Sequence, residues 1–72
     1  MAPSPVSIEL IVNGERTAAP VGTTVCGLLA QLGLNGPVAA EVNGVIVVRT
    51  KHAECMLNDG DVLELVHFVG GG

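Results

Sequence analysis

Seventy-two residues, 49% of them hydrophobic and drawn mostly from Val, Leu, Ile and Ala with a single Phe and no Trp or Tyr, make one small domain. It has an aliphatic core, too little chain for a deep catalytic cleft and too much apolar content for disorder. Seven acidic against three basic residues give a net charge of −4, and Arg16, Arg49 and Lys51 cannot form the basic stripe that nucleic-acid binding requires.

In chain order, Met1 to Pro5 has neither the cationic start nor the apolar stretch of a secretory signal. No later run is long enough to span a bilayer, so the expected location is cytoplasmic, with no membrane partner. Residues 1–5 are expected to form a disordered start. Val6-Ser7-Ile8-Glu9-Leu10-Ile11-Val12 alternates as a strand, with Val6, Ile8, Leu10 and Val12 on one face. Asn13-Gly14 supplies a type I′ turn into a second strand from Glu15 to about Ala19. Pro20-Val21-Gly22 breaks the sheet, and Thr23 is the expected N-cap of a helix with Val25, Leu28, Leu29 and Leu32 on one stripe. Gly33 stands at its left-handed C-terminal cap, with Leu34 placed for the accompanying apolar contact.

Beyond the Asn35-Gly36-Pro37 loop, the segments 38–42 and 45–48 flank a second Asn-Gly pair, Asn43-Gly44, and predict a second hairpin. Ala53, Met56 and Leu57 are spaced for one short, 3₁₀-like turn. Asn58-Asp59-Gly60-Asp61 is a tight turn before a closing strand from Val62 to Val69. Leu63 and Leu65 are its core phase. Glu64 then belongs to water, which exposes Val66 and Phe68; with Val69 they form a candidate docking surface beside the chain end.

The chain end is Gly70-Gly71-Gly72. Glycine loses the most conformational freedom on ordering, so residues 70–72 are expected to be a flexible tail, thin enough to enter a narrow channel and ending in a carboxylate. Cys26 and Cys55 lack the spacing of a zinc or redox pair, and His52 and His67 lack a metal or triad partner at readable spacing. Free thiols, surface or satisfied histidines and no metal are expected.

Hairpin, helix, hairpin, short turn and last strand is the element order of the β-grasp, or ubiquitin-like, fold. This is an α+β architecture: a mixed sheet of about five strands with one main helix packed on it, the last strand parallel to the first. Residues 6–69 are the expected domain. Several stretches carry a closer resemblance: Val12-Asn13-Gly14-Glu15, Gly22-Thr23-Thr24-Val25 with Leu28-Leu29, Val42-Asn43-Gly44, Val48-Arg49, Leu57-Asn58-Asp59-Gly60-Asp61 and Val66-His67-Phe68-Val69-Gly70-Gly71-Gly72. Together they resemble the ThiS family of sulfur carriers in thiamine thiazole biosynthesis. The Asp-Gly-Asp turn and the terminal Gly-Gly are shared with the molybdopterin-synthase small subunit, and the third terminal glycine departs from the minimal Gly-Gly ending.

The resemblance implies a protein cosubstrate rather than an enzyme, with no permanently bound cofactor. Its Gly72 carboxylate would be adenylated with ATP by a ThiF-like enzyme, converted to a thiocarboxylate by a sulfur donor system, and used by a ThiG-like thiazole synthase. Three other readings share parts of this pattern: a carrier for molybdopterin or cysteine synthesis, a ubiquitin-like modifier, and a binding module whose glycines do nothing.

Overall fold

The computed structural model describes residues 6–68, so the expectations for residues 1–5, Val69 and Gly70 to Gly72 lie outside the described residues. Five strands form one sheet: β1 (Ser7–Val12), β2 (Glu15–Pro20), β3 (Val38–Val42), β4 (Val45–Val47) and β5 (Val62–His67), in the order β2-β1-β5-β3-β4. β5 lies in the centre, parallel to β1 and antiparallel to β3. One helix, α1 (Val25–Gln31), supplies the second layer, and a 3₁₀ turn spans Arg49–Lys51.

Both hairpins turn as their Asn-Gly pairs predict. Asn13 and Gly14 have φ of 49° and 83°, and Asn43 and Gly44 have φ of 50° and 82°; two successive positive φ values define the type I′ turn that matches strand twist. The alternation of β1 buries Ile8, Leu10 and Val12 against Val25 and Leu28 of the helix, with Leu63, Leu65, Val38, Ala40, Ala19 and Leu57 completing the core. Leu10, Leu28, Leu63 and Val25 are fully buried, each contributing about 1.5–3 kcal/mol through the area removed from water.

The helix ends in a Schellman motif. Gly33, at φ 71°, donates its N–H to Ala30 O, and Leu34 donates to Leu29 O, which satisfies two carbonyls the helix leaves free. Leu29 and Leu34 both pack on the core, as the sequence implied. Leu32 is the C-cap residue and sits at the rim, so the inward stripe is the buried Val25 and Leu28 with the partly buried Leu29.

Four further expectations are corrected. Val6 precedes β1, outside the alternation that buries Ile8, Leu10 and Val12, and is 80% exposed. The N-cap is Thr24, whose Oγ1 accepts the Gly27 N–H at 3.1 Å. Thr23 instead donates its hydroxyl to Pro20 O at 2.6 Å and so closes the preceding turn. Pro20 does not break the sheet but ends β2, opposite Ser7; an edge strand tolerates a residue without an N–H. The 3₁₀ turn lies at Arg49–Lys51 rather than around Ala53 to Leu57. Leu57 is buried from extended chain, held by its N–H to Thr23 O, while Met56 is 61% exposed in a bridge with Thr24.

Candidate interaction face and root of the C-terminal segment

The structure around β5 concentrates backbone restraint on one strand. Its parallel ladder with β1 covers only Ile11↔Val62 and Val12↔Leu63. Asn13 then continues the ladder with its side chain: Oδ1 accepts the Leu65 N–H at 2.7 Å and Nδ2 donates to Leu65 O at 3.1 Å, while its own N–H reaches Leu63 O at 2.9 Å. A primary amide presents one acceptor and one donor side by side, the same pair a strand residue offers, so it replaces the missing strand. Asn43 acts similarly from the other side. Its N–H donates to Val62 O, its Oδ1 accepts the Val62 N–H, and its Nδ2 donates to Asp61 Oδ1.

The turn before β5 is fastened to β1 as well. Asp59 Oδ1 accepts the Glu9 N–H at 2.7 Å, Gly60 donates its N–H to Glu9 O, and Asp61 O accepts from Ile11. Asp61 also closes its own turn, its Oδ2 accepting the Asn58 N–H. At the far end the chain leaves the sheet beside the α1–β3 loop, where the His67 ring donates from Nε2 to Asn35 O and Phe68 donates its N–H to Pro37 O at 3.0 Å. The last described residue is therefore fixed to the body of the domain.

Among the described residues no layer covers the sheet face away from α1. Val66 and Phe68, singled out from strand phase, are 53% and 55% exposed. Ala39 stands opposite Val66, and Glu41 stands opposite both Glu64 and Ile46. A shallow depression of about 180 Å³ lies among Ala39, Ala40, Glu41, Ile46, Glu64 and Val66. Val69 and Gly70 to Gly72, the remaining predicted docking and tail residues, lie outside the described residues.

The cysteines are free, Cys26 exposed and Cys55 partly buried against the core. His52 is buried, its Nε2–H donating to Val47 O at 3.0 Å. This is a structural bond that holds the chain between β4 and the 3₁₀ turn. Among the described residues no group of three His, Cys, Asp or Glu side chains is placed to hold a metal, and no helix is long and apolar enough to cross a membrane. A second, larger groove of about 350 Å³ runs between α1 and the segment 49–53, with Cys26, Arg49 and His52 on its walls. In the sequence the side chains of Asn13, Asn43 and Asp59 signal only turns; their partners in space lie up to 52 positions away, beyond any local signal.

The profile of the ThiS family matches residues 9–72 of the chain. The sulfur carrier protein ThiS of Bacillus subtilis is 46% identical over 65 residues, covering 88% of this chain and 98% of that protein. A thiazole synthase of Paramagnetospirillum magneticum is 42% identical over 66 residues; the match takes in 90% of this chain, which spans only 20% of that protein's length. The crystal structure of a thiamine biosynthesis protein, ThiS, from Geobacter metallireducens superposes with a TM-score of 0.75 at 30% identity, covering 90% of this chain and all of that one. On this match in sequence and in β-grasp architecture, the chain belongs to the ThiS family.

Proposed function

We propose that this chain is a sulfur carrier of thiamine biosynthesis and acts as a protein cosubstrate in the cytoplasm. The observation that carries the proposal is the fixed root of its C-terminal segment. β5 is clamped in the sheet centre by Asn13 and tied to Pro37 at Phe68, beside an uncovered apolar face. A domain built this way fixes the point at which the chain leaves the sheet after Phe68, beside the candidate docking surface. Family membership over residues 9–72 supplies the chemistry.

In that chemistry the Gly72 carboxylate is a poor electrophile, an anion without a leaving group at neutral pH. A ThiF-like enzyme joins it to the α-phosphate of ATP, forming an acyl-adenylate and releasing pyrophosphate. The terminal sulfur of a donor persulfide then adds to the acyl carbon and AMP leaves with the C–O bonding pair; a thiol of the donor system next attacks the S–S bond of the resulting acyl disulfide, leaving the donor as a mixed disulfide and the carrier as its thiocarboxylate. A ThiG-like thiazole synthase takes the sulfur, and the carboxylate is regenerated with oxygen from its substrate or water. The partners supply the catalytic side chains. This chain supplies the acyl end, with Gly70 and Gly71 giving a backbone thin enough for a narrow channel, and the docking face of Val66, Phe68 and Val69. The Paramagnetospirillum thiazole synthase, a fifth of whose length resembles this chain, supports a thiazole synthase as the sulfur acceptor.

The test is the intact mass of the protein after incubation with ATP, a ThiF-like enzyme and a sulfur source. The proposal predicts a gain equal to the exchange of one oxygen for sulfur, lost on removing ATP. An unchanged mass with an enzyme active on its own carrier would refute it, and a ladder of conjugates to other proteins would assign the chain to protein modification instead.

A further inference from the structure

The chain carries three Asn-Gly pairs, Asn13-Gly14, Asn35-Gly36 and Asn43-Gly44. Such a pair is open to attack of the glycine nitrogen on the preceding side-chain amide, because glycine has no Cβ to shield its own nitrogen. For that ring to close, the Asn side chain must turn toward the main-chain nitrogen that follows it. At Asn13 both ends of the amide are held, Oδ1 by the Leu65 N–H and Nδ2 by Leu65 O. At Asn43 Oδ1 accepts the Val62 N–H and Nδ2 donates to Asp61 Oδ1. Either side chain must give up two hydrogen bonds before it can react. Asn35 differs: among the described residues it is bonded only through its main-chain O, which accepts from His67, and its side chain is exposed. Gly36 is exposed as well, lies outside every helix and strand at φ 87°, and its N–H has no acceptor among the described residues.

We infer that Asn35-Gly36 is the site at which this protein deamidates, and that the reaction loosens the root of its C-terminal segment. The Gly36 nitrogen gives its proton to a solvent base and adds to the Asn35 side-chain carbonyl carbon. A new C–N bond forms, the bond to the side-chain nitrogen breaks, and that nitrogen takes a proton from water and leaves as ammonia. Water then opens the cyclic imide at one of its two carbonyls. Opening at one gives aspartate on an unchanged main chain. Opening at the other gives isoaspartate, in which the main chain runs through the former side chain, one carbon longer, and the former Asn35 carbonyl becomes a free carboxylate. Both products add one negative charge to the net −4. Asn35 O is the acceptor for His67, and Pro37 O, two residues on, is the acceptor for the Phe68 N–H. Lengthening the main chain at Asn35 changes the spacing of these two acceptors, so the isoaspartyl form loses the ties that fix the end of β5. The chemistry at Asn35 stands by itself, whereas its effect on activation of the chain end rests on the carrier reading.

The experiment incubates wild type and Asn35→Gln in mildly alkaline buffer, folded and in urea, and follows intact mass, fragment masses and isoaspartate content. In the folded protein Asn35 is expected to convert first, with Asn13 and Asn43 at least about tenfold slower because each must break two hydrogen bonds. In urea, where those bonds are gone, the three should convert at similar rates. Asn35→Gln, whose longer side chain closes a six-membered ring less readily, should keep its mass over the same period. The isoaspartyl form, separated by ion exchange, should show the Phe68 amide NMR signal moved to its unstructured position and ATP–pyrophosphate exchange with the adenylating enzyme slower than that of fresh protein. Conversion of Asn13 or Asn43 as fast as Asn35 in the folded protein, or a spread of rates in urea as wide as in the fold, overturns the inference. An unmoved Phe68 signal in the isoaspartyl form overturns the loosening of the root. Absence of exchange by fresh wild type removes the carrier reading, while the fragment masses still decide the site.

Discussion

Leu63 and Leu65 on one side of β5 and Val66 and Phe68 at its end lie within six residues of one another, and all four are apolar. Leu63 is fully buried and Leu65 nearly so, whereas Val66 and Phe68 are more than half exposed. The first pair faces α1, and among the described residues no layer covers the second. Hydrophobicity alone does not separate the two. Strand phase does, because a central strand presents alternate residues to opposite faces and only one face of this sheet carries a helix. One strand thus holds the fold together on its inner side and leaves apolar side chains exposed on its outer side.

The largest expected effect lies on the inner side. Leu63→Ala removes a fully buried side chain at the point where β1, β5 and β3 meet α1, and should cost about 2–5 kcal/mol. For a domain of this size that lowers the melting temperature by roughly 4–8 °C per kcal/mol. Asn13→Ala comes next. It leaves the Leu65 N–H and C=O without their partner in a part-buried position, a loss of about 1–3 kcal/mol in chemical denaturation. Asn43→Ala, where the same bonds lie exposed, should cost less; equal losses would show that the two clamps are equivalent.

Phe68→Ala sharpens the contrast from the outer side. Its stability should stay within about 0.5 kcal/mol of wild type, while affinity for the adenylating enzyme falls by about tenfold or more. A large drop in melting temperature with unchanged affinity would place Phe68 functionally with Leu63. The smallest effects belong to the thiols: Cys26→Ser and Cys55→Ser should both retain sulfur transfer, Cys55→Ser with a slight loss of stability because it packs against the core. Loss of transfer in either folded variant would give that thiol a persulfide role.

Much of this arrangement was legible in the sequence because its signals are local. Alternation placed Ile8, Leu10 and Val12 inward, Asn-Gly fixed both hairpins, and Gly33-Leu34 marked the helix end. What escaped depended on distant chain. Thr23 and Thr24 are equally good caps by composition, and only the turn that consumes the Thr23 hydroxyl at Pro20 decides between them. Leu57 has helical spacing to Ala53 but is drawn into the core by extended pairing with Thr23 and Thr24. The site was legible in part: the exposure of Val66 and Phe68 followed from strand phase. The Asn13 clamp and the opposition of Glu41 to Glu64 required knowing which strands are neighbours.

The central claim is that the chain end, launched from a fixed root, is the reactive group. It is tested most directly by ATP–pyrophosphate exchange with a ThiF-like enzyme on a protein extended beyond Gly72, measured beside the unextended chain and a folding check. Each added residue moves the carboxylate by up to about 3.6 Å, and misplacement by about 1 Å can cost on the order of 100-fold in rate. The account predicts a folded protein with exchange abolished, and full exchange when the same residues are placed before Val6 instead. Exchange at the normal rate by a folded, untrimmed, C-terminally extended protein would contradict it.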